Sequence, residues 1–453
     1  MKEFKIHHFE LLHFLWRNRF GLSELASSHW KISYSTKNVT FCAARGVHFR
    51  VNQFSCEVAI VGGGLSGCAA ASELARAGVD VALFEAGQLP RHRVCGEFLS
   101  PESRATLSRI GVVDDIEAAG ARDVKLARFC CQNQSADFDL GDASGLAISR
   151  FTLDPILFEA AKNAGARAFL GAKTRFLQTE SEKGDGFRFE VNGQSWRARA
   201  VILAAGRAQS PRAEPTNRVE STNNGRAPQK MEAKNKARFC GLKAHFSGVD
   251  LGVGTVEMHL FRGGYCGLVR VEGEATNACL MTDYARLQKT SPAAFWDELL
   301  AQNPQLRARF TSATRLTPWC STGNVSFEKF RPVGTSKPQN KSTQDEIARG
   351  ILCAGDAAGY IHPLTGDGMA MALRAGELAA TCARLQMRGL DAGEAARLYQ
   401  AAWEREFTPR LKLAAQLHPL ALRPEWARPV LPWLRCFPAL RRALVRGTRG
   451  SEN

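Results

Sequence analysis

Three glycines, Gly62, Gly64 and Gly67, stand at the spacing G-x-G-x-x-G directly after an apolar run at residues 58–61. An acid, Glu85, closes a second apolar run at residues 79–84, and a stretch rich in small residues, 68–77, lies between the two runs. The order is strand, tight turn, helix, strand, acid. The chemistry that suits this order is the binding of a dinucleotide. Gly62 allows the tight turn, Gly64 lets backbone approach a pyrophosphate, and Gly67 lets helix and strand pack closely. Leu65 and Ser66 complete the turn. The helix start behind it offers unpaired N–H groups and partial positive charge to a phosphate. Glu85 is placed to accept hydrogen bonds from an adenosine ribose.

A second set lies far along the chain. Residues 351–359 read ILCAGDAAG, another strand entering a turn. Gly355 makes the turn, and Asp356 stands where it can bond a polyol such as the ribityl chain of a flavin. The run from His362 to Met369 follows, with Pro363, Gly366 and Gly368 ahead of a helix over 369–387. Glycines before a helix again bring bare N–H groups to an anion. Such a helix start stabilises the negative charge of a reduced flavin by about 1–2 kcal/mol in a partly buried site. Taken together, the two sets point to FAD rather than to a nicotinamide dinucleotide. His362 is a candidate proton donor with a pKa near neutrality, or a packing residue beside this loop.

The elements that position these residues divide the chain. Residues 54–208 form the first part of an FAD-binding domain, with strand-like segments at 124–131 and 147–149. A helix begins there near Thr152 with Pro155 in its first turn, as capping allows. Four strand-like runs at 239–246, 257–261, 265–271 and 276–282 make an antiparallel sheet, the core of a substrate domain at 239–332. Residues 349–395 return to the FAD domain, and 396–453 form a basic helical region. Polar stretches at 209–238 and 333–348 read as insertions, the first of them disordered. Residues 1–53 read as an extension foreign to this fold, either disordered or the product of a misplaced start codon.

These motifs resemble those of the p-hydroxybenzoate hydroxylase superfamily of FAD enzymes, and within it the geranylgeranyl reductase-like branch. The matching residues are Gly62-Gly63-Gly64-Leu65-Ser66-Gly67, Val94-Cys95-Gly96-Glu97, Arg150 with Leu153-Asp154, Gly355-Asp356-Ala357-Ala358-Gly359, and Pro363-Leu364-Thr365-Gly366-Asp367-Gly368. The resemblance covers residues 55–400. It implies an α/β, Rossmann-type FAD-binding domain of the glutathione reductase-like kind, with an antiparallel sheet as substrate domain and C-terminal helices. It implies that Cys95, with Gly96, lies beside the flavin and takes a catalytic role, and that Arg93 and Arg150 supply basic groups near FAD. Aromatic hydroxylases of the superfamily carry His where this chain has Gly359, which favours the reductase-like branch. Flavin halogenases share the fold, but their W-x-W-x-I-P segment and their lysine are not found.

Composition bounds the remainder. The chain has 453 residues and 13 cysteines, an odd number with no C-x-x-C, which argues against a disulfide framework and a zinc site. The scattered cysteines read as reduced thiols, so a cytoplasmic protein is expected, and no run approaches the roughly 18 apolar residues that cross a bilayer. The net charge is +16, and residues 405–449 hold ten Arg or Lys against Glu406 and Glu425. Apolar groups interleave there. That pattern suits contact with a membrane surface, or a helical region with its charged face in water. The charge is diffuse and no nucleic-acid motif is present, so nucleic acid is not an expected partner. The expected function is FAD-dependent reduction of a C=C bond in a lipophilic small molecule, prenyl or polyketide-like, with NAD(P)H as a transient electron donor. The alternatives are hydroxylation of an aromatic or polyketide substrate with NAD(P)H and O2, and non-catalytic flavin binding.

Overall fold

The structure is a computed structural model that describes residues 31–35, 38–42, 48–51, 54–141, 143–176, 186–206, 239–325, 350–359 and 362–449. The insertions expected at 209–238 and 333–348 lie outside the described residues. The chain divides into a short unit, Met1–Ser55, and a large one, Cys56–Asn453. In the short unit, β1 (Lys31–Ser35), β2 (Asn38–Cys42) and β3 (His48–Val51) form an antiparallel sheet.

The large unit opens with β4 (Ser55–Val61), α1 (Leu65–Arg76) and β5 (Val81–Glu85). The two strands pair in parallel, Val58 opposite Val81, because the helix between them carries the chain back to the same edge. Next come β6 (Leu126–Cys131), β7 (Gln134–Asp139), α2 (Arg150–Asn163), β8 (Arg167–Leu170), β9 (Thr174–Phe176), β10 (Phe187–Val191) and β11 (Gln194–Leu203). The first sheet has the order β8-β5-β4-β11-β10-β9, and a short strand, Leu352–Cys353, joins β11 in parallel. It is mixed, because the β9, β10 and β11 pairings are antiparallel. The chain entering at residue 352 therefore brings the second glycine set to the same sheet end as the first.

The substrate-side sheet is built on β12 (Phe239–Ser247), β13 (Thr255–Phe261), β14 (Gly264–Arg270) and β15 (Thr276–Asp283). These pair antiparallel, as expected. The sheet does not end there. β6 joins β13 in parallel, with Thr255 opposite Leu126, and β7 follows at the edge. Sequence proximity assigns residues 124–131 to the nucleotide side; pairing assigns 126–131 to the other sheet and Val124 to a short separate one.

Helices α3 (Gly368–Met387), α4 (Ala392–Leu422), α5 (Pro424–Cys436) and α6 (Pro438–Thr448) complete the unit. Helix α3 lies so close to α1 that a Cβ on Gly376 would stand 2.2 Å from the Ser66 carbonyl oxygen. This explains the small residues on both helices, Ala69, Ala70, Ala375 and Ala379, all buried. Helix α4 buries Tyr399, Trp403, Phe407, Leu411 and Ala414, a stripe at helical spacing. Each of its large apolar side chains contributes about 1.5–3 kcal/mol by leaving water.

Helix α2 starts at Arg150, not near Thr152. The Ser149 hydroxyl accepts the Thr152 N–H at 3.2 Å and fixes the start. Pro155 therefore falls in the second turn and leaves the Phe151 carbonyl without its helical donor. Phe151 is exposed, so water can serve that carbonyl. Among the described residues, no helix is long and apolar enough to cross a membrane.

Candidate functional site

The site is a cavity of about 700 Å3 between the two sheets. Every residue proposed from sequence to bind the cofactor lines it except Gly67. Gly67 works from beneath: a Cβ there would stand 1.9 Å from the Gly62 carbonyl oxygen. Gly62 itself has φ +108° and lies against Ala204, so both positions exclude any side chain. Gly64 is different. A Cβ there would meet nothing within 4 Å, which leaves its backbone open to the cavity. Helix α1 has no side-chain cap on Gly64, and the buried Ser66 hydroxyl has no hydrogen-bond partner among the described residues. Bare N–H groups, a spare hydroxyl and a Cβ-free approach fit a pyrophosphate, and the cavity size suits an FAD-sized ligand.

Glu85 takes its expected place but is partly occupied. Its Oε2 accepts Gly63 N–H at 2.9 Å, and its Oε1 accepts Gly87 N–H at 2.8 Å and Arg91 at 2.7 Å. Burial would raise this carboxyl; the Gly87 amide and the Arg91 guanidinium outweigh it and hold it below the usual carboxylate range. Oε2 keeps a lone pair for a ribose hydroxyl.

Arg93 and Arg150 line the cavity and share one buried acid. Asp154 accepts Arg93 Nε at 3.0 Å and Arg150 through Nε at 2.5 Å and a terminal nitrogen at 3.0 Å. Burial works against both cations. For Arg150 the Asp154 and Cys95 groups beside it reverse the shift and hold it charged, whereas the pKa of Arg93 stays below the usual arginine value. Two cations on one carboxylate leave a net positive charge beside the cavity, held in fixed geometry.

Cys95 sits where the two sheets meet. Its Sγ lies 3.4 Å from Met369 Sδ and accepts the Glu97 N–H at 3.4 Å, and its carbonyl accepts Asn277 Nδ2 at 3.0 Å. Asn277 lies on β15, so the segment carrying Cys95 is tied to the substrate-side sheet.

Three further residues stand behind this segment, and two of them, Lys243 and His245, escape the sequence reading. Glu97 is fully buried and adopts φ +55°, in the left-handed region that costs a non-glycine residue about 1–2 kcal/mol. Its Oε1 accepts the Arg150 backbone N–H at 2.8 Å and a close contact from Lys243 Nζ; its Oε2 lies 2.7 Å from His245 Nε2. Lys243 is 1% exposed. The signal was present but faint: two-residue alternation puts Gly241, Lys243 and His245 on one face of β12, and Gly241 lines the cavity.

His362 does not serve as a donor at neutral pH. Burial pushes it down to about 4, and its ring lies against that of His418 of α4, centroids 4.1 Å apart and planes tilted by 31°. Gly359 also gains a reason: a Cβ there would stand 2.7 Å from the Trp403 ring, so α4 fills the space beside it.

Away from the cavity, Cys130, Glu257 and His259 place three possible metal-ligand atoms within 4.8 Å of one another. Arg309 holds both Glu257 oxygens at 3.0 Å, and Arg128 approaches at 3.5 Å, so the carboxylate charge is already balanced by arginine.

Comparison with known proteins agrees with this geometry. The FAD binding domain family profile matches residues 55–250. A menaquinone reductase of Mycobacterium tuberculosis is 32% identical over 165 residues, 35% of this chain and 39% of that protein. A flavin-dependent halogenase of Metacordyceps chlamydosporia is 35% identical over 126 residues, 28% of this chain and 24% of that one. The chain thus aligns with only about a quarter to two fifths of these relatives' lengths. Among solved structures, a flavin-dependent brominase superposes with TM-score 0.66 at 18% identity, covering 87% of this chain and 93% of its own. A geranylgeranyl bacteriochlorophyll reductase-like protein of Thermoplasma acidophilum gives 0.58 at 18% identity, covering 86% and 88%. Residues 55–250 thus resemble an FAD binding domain, and the large unit has the fold that the brominase and the reductase-like structure share.

Proposed function

We propose that this chain is an FAD-dependent oxidoreductase that reduces a C=C bond in a lipophilic, prenyl- or polyketide-like molecule, with NAD(P)H as transient electron donor. The observation that carries this reading is the segregation of charge within the cavity. Glu85, Arg91, Arg93, Glu97, Arg150, Lys173 and Asp356 all come from the nucleotide side. The substrate-side sheet contributes Gly241, Met258, Tyr265, Gly267, Cys279, Leu280, Met281 and Thr322, none of them charged. An apolar substrate loses little on entering such an end, and a charged one would lose its hydration with no partner. The menaquinone reductase among the relatives supports a lipophilic substrate.

FAD, when bound, supplies hydride transfer. The chain's own residues do the rest. Gly62, Gly64 and the α1 start would seat the pyrophosphate, Glu85 would orient the ribose, and Asp356 would meet the polyol. Cys95, at the junction, would be the group to give a proton to the second carbon of the reduced bond. The apolar lining of the substrate-side sheet excludes water from that junction.

The test is anaerobic mixing of the FAD-loaded full chain with NADPH or NADH, followed by addition of menaquinone or a geranylgeranyl compound. Flavin bleaching without substrate, with a product heavier by two hydrogens that stays so after reoxidation of the quinone ring in air, supports the reading. A second reading, halogenation or hydroxylation, is favoured by the halogenases among the relatives. A product carrying halogen or oxygen, formed only in air, would establish it and overturn the first.

A further inference from the structure

Asp367 stands inside the second glycine loop, between Gly366 and Gly368, both of which line the cavity. It is fully buried. It is also the residue at which α3 starts, yet its side chain makes no capping hydrogen bond to that helix. A lone carboxylate there would work against the site. The α3 start attracts an anion through bare N–H groups and a partial positive charge of about half an elementary charge, and a carboxylate beside it offsets that charge. A buried carboxylate without a partner is also strongly disfavoured.

The partner comes from a distant segment. Arg449, directly after α6, places Nη1 3.3 Å from Asp367 Oδ1 and 3.6 Å from Glu102 Oε2. Its guanidinium carbon lies 5.9 Å from the centre of the Phe98 ring. Phe98 lines the cavity, and a Cβ on Gly366 would stand 2.9 Å from that ring. Arg449 thus meets the loop twice, through Asp367 and through the aromatic wall on which Gly366 rests. Arg410 of α4 lies 3.4 Å from the other Glu102 oxygen. Two acids and two arginines balance when all four are ionised. None of the four lines the cavity, so they act on its contents by field and not by contact.

We propose that Arg449 is a positioning residue for the flavin: by neutralising Asp367 it leaves the positive end of α3 free to favour the reduced cofactor, and so sets the midpoint potential. The inference rests on the FAD reading. It does not depend on the choice between C=C reduction and halogenation or hydroxylation, since each needs the flavin reduced first. A mere tether predicts something different. Asp367→Asn breaks the pair, and removing Arg449 as well cannot mend a tether. It does mend the charge balance: Asp367→Asn leaves an extra positive charge behind the loop, and Arg449→Met takes that charge away.

The test is the midpoint potential of the bound flavin, titrated anaerobically against a reference dye at pH 8.5, above the value of about 7 to which burial raises Asp367. Asp367→Asn should shift the equilibrium toward reduced flavin by roughly tenfold, about 30 mV for a two-electron couple. The double variant Asp367→Asn/Arg449→Met should return it to near the starting value. Glu102→Gln, which leaves the loop sequence intact, should shift it the same way by a smaller factor, and keeps the test open if Asp367→Asn does not fold. FAD content and the melting temperatures of the loaded and cofactor-free chains are read on the same samples. A potential that ignores both single variants would overturn the proposal. So would a shift that the double variant keeps, which makes the pair a tether. A chain that takes up no FAD would overturn the FAD reading and this inference together, whereas a bound, reducible flavin indifferent to the cluster overturns this inference alone.

Discussion

The two ends of the cavity are built by opposite means. At the nucleotide end, recognition is made by backbone: Gly62, Gly64 and Gly67 shape one turn, and Gly355, Gly366 and Gly368 shape another. At the junction, the segment that carries Cys95 is held by side chains that meet from distant segments: Glu97 from the same loop, Lys243 and His245 from β12, Asn277 from β15. Backbone recognition needs absent side chains at fixed local spacing. Side-chain anchoring needs charges that fold together. The first tolerates no added atom, and the second tolerates no lost partner.

The sharpest way to break this contrast is at the glycines. Gly67→Ala puts a methyl 1.9 Å from the Gly62 carbonyl. It should cost on the order of 3 kcal/mol or more through overpacking and backbone shift, and lose both FAD and thermal stability. Gly64→Ala meets nothing within 4 Å. It should keep the fold and lower FAD occupancy alone. Flavin absorbance per protein and a melting curve separate the two. Equal loss of melting temperature in both variants would show that Gly64 is structural, and the pyrophosphate seat would have to lie elsewhere.

The junction predicts a different pattern. Glu97→Ala leaves Lys243 buried without its carboxylate and should destabilise by about 3–5 kcal/mol. Glu97→Gln/Lys243→Met removes both charges and should recover most of that loss. Urea titration of the single and double variants reads the difference. If Glu97→Ala costs less than about 1 kcal/mol, the cluster is solvated and does not hold the Cys95 loop. The double variant also has a chemical readout, because a loop released from β12 should change the rate at which Cys95 reacts with an alkylating reagent.

The same contrast explains what the sequence could tell. The nucleotide end was legible because its physics is local: a strand, a turn and a helix start lie within a dozen or so residues, and both glycine sets reached one cavity. Cys95 was legible only through family resemblance. Lys243 and His245 were not, since a lysine in a strand reads as a solvated residue until the sheet is covered on both faces. The parallel pairing of β6 with β13 was hidden for the same reason: nothing in residues 124–131 names a partner that lies at 255–261. The early start of α2 turned on one hydroxyl, Ser149, whose cap outweighs the preference of Pro155 for the first turn.

Acid should act on a third contact, the ring pair His362 and His418, which ties α4 to the second glycine loop. Both are neutral in the fold, pushed down to about 4 and about 3, chiefly by burial. Their folded pKa values lie below the ordinary 6.5, so the unfolded chain binds more protons between those limits. Their contribution is complete above pH 6.5 and is lost as pH falls toward 4. Two such groups give a limiting slope of about 2.7 kcal/mol per pH unit, and solvent reaching His362 keeps the real slope below that. His418→Phe should keep the ring contact and remove roughly half of the histidine part of the slope. Urea midpoints at pH 7 and pH 5 for the two proteins measure it. An unchanged slope would assign the acid sensitivity to other groups; the buried Asp367 is not one of them, because burial raises it to about 7 and its protonation as pH falls favours the folded state.

The smallest expected effect is at Cys95, and it is the one that bears on chemistry. Its thiol sits 3.4 Å from Met369 Sδ and touches the cavity where the charged and apolar linings meet. Cys95→Ser keeps a small polar group and the Glu97 N–H contact, so FAD content and melting temperature should not move. If the thiol holds the proton that completes reduction of a C=C bond, turnover should fall by roughly tenfold, about 1.4 kcal/mol, because a hydroxyl gives up its proton less readily. The loss should appear in kcat rather than KM, and flavin bleaching by NADPH should keep its rate, since that step needs no proton from Cys95. A variant with unchanged turnover would leave Cys95 as a packing residue of the loop. The junction would then be a scaffold for the apolar cavity end, with the protonating group on the substrate-side sheet, where Tyr265 offers a hydroxyl among otherwise uncharged neighbours.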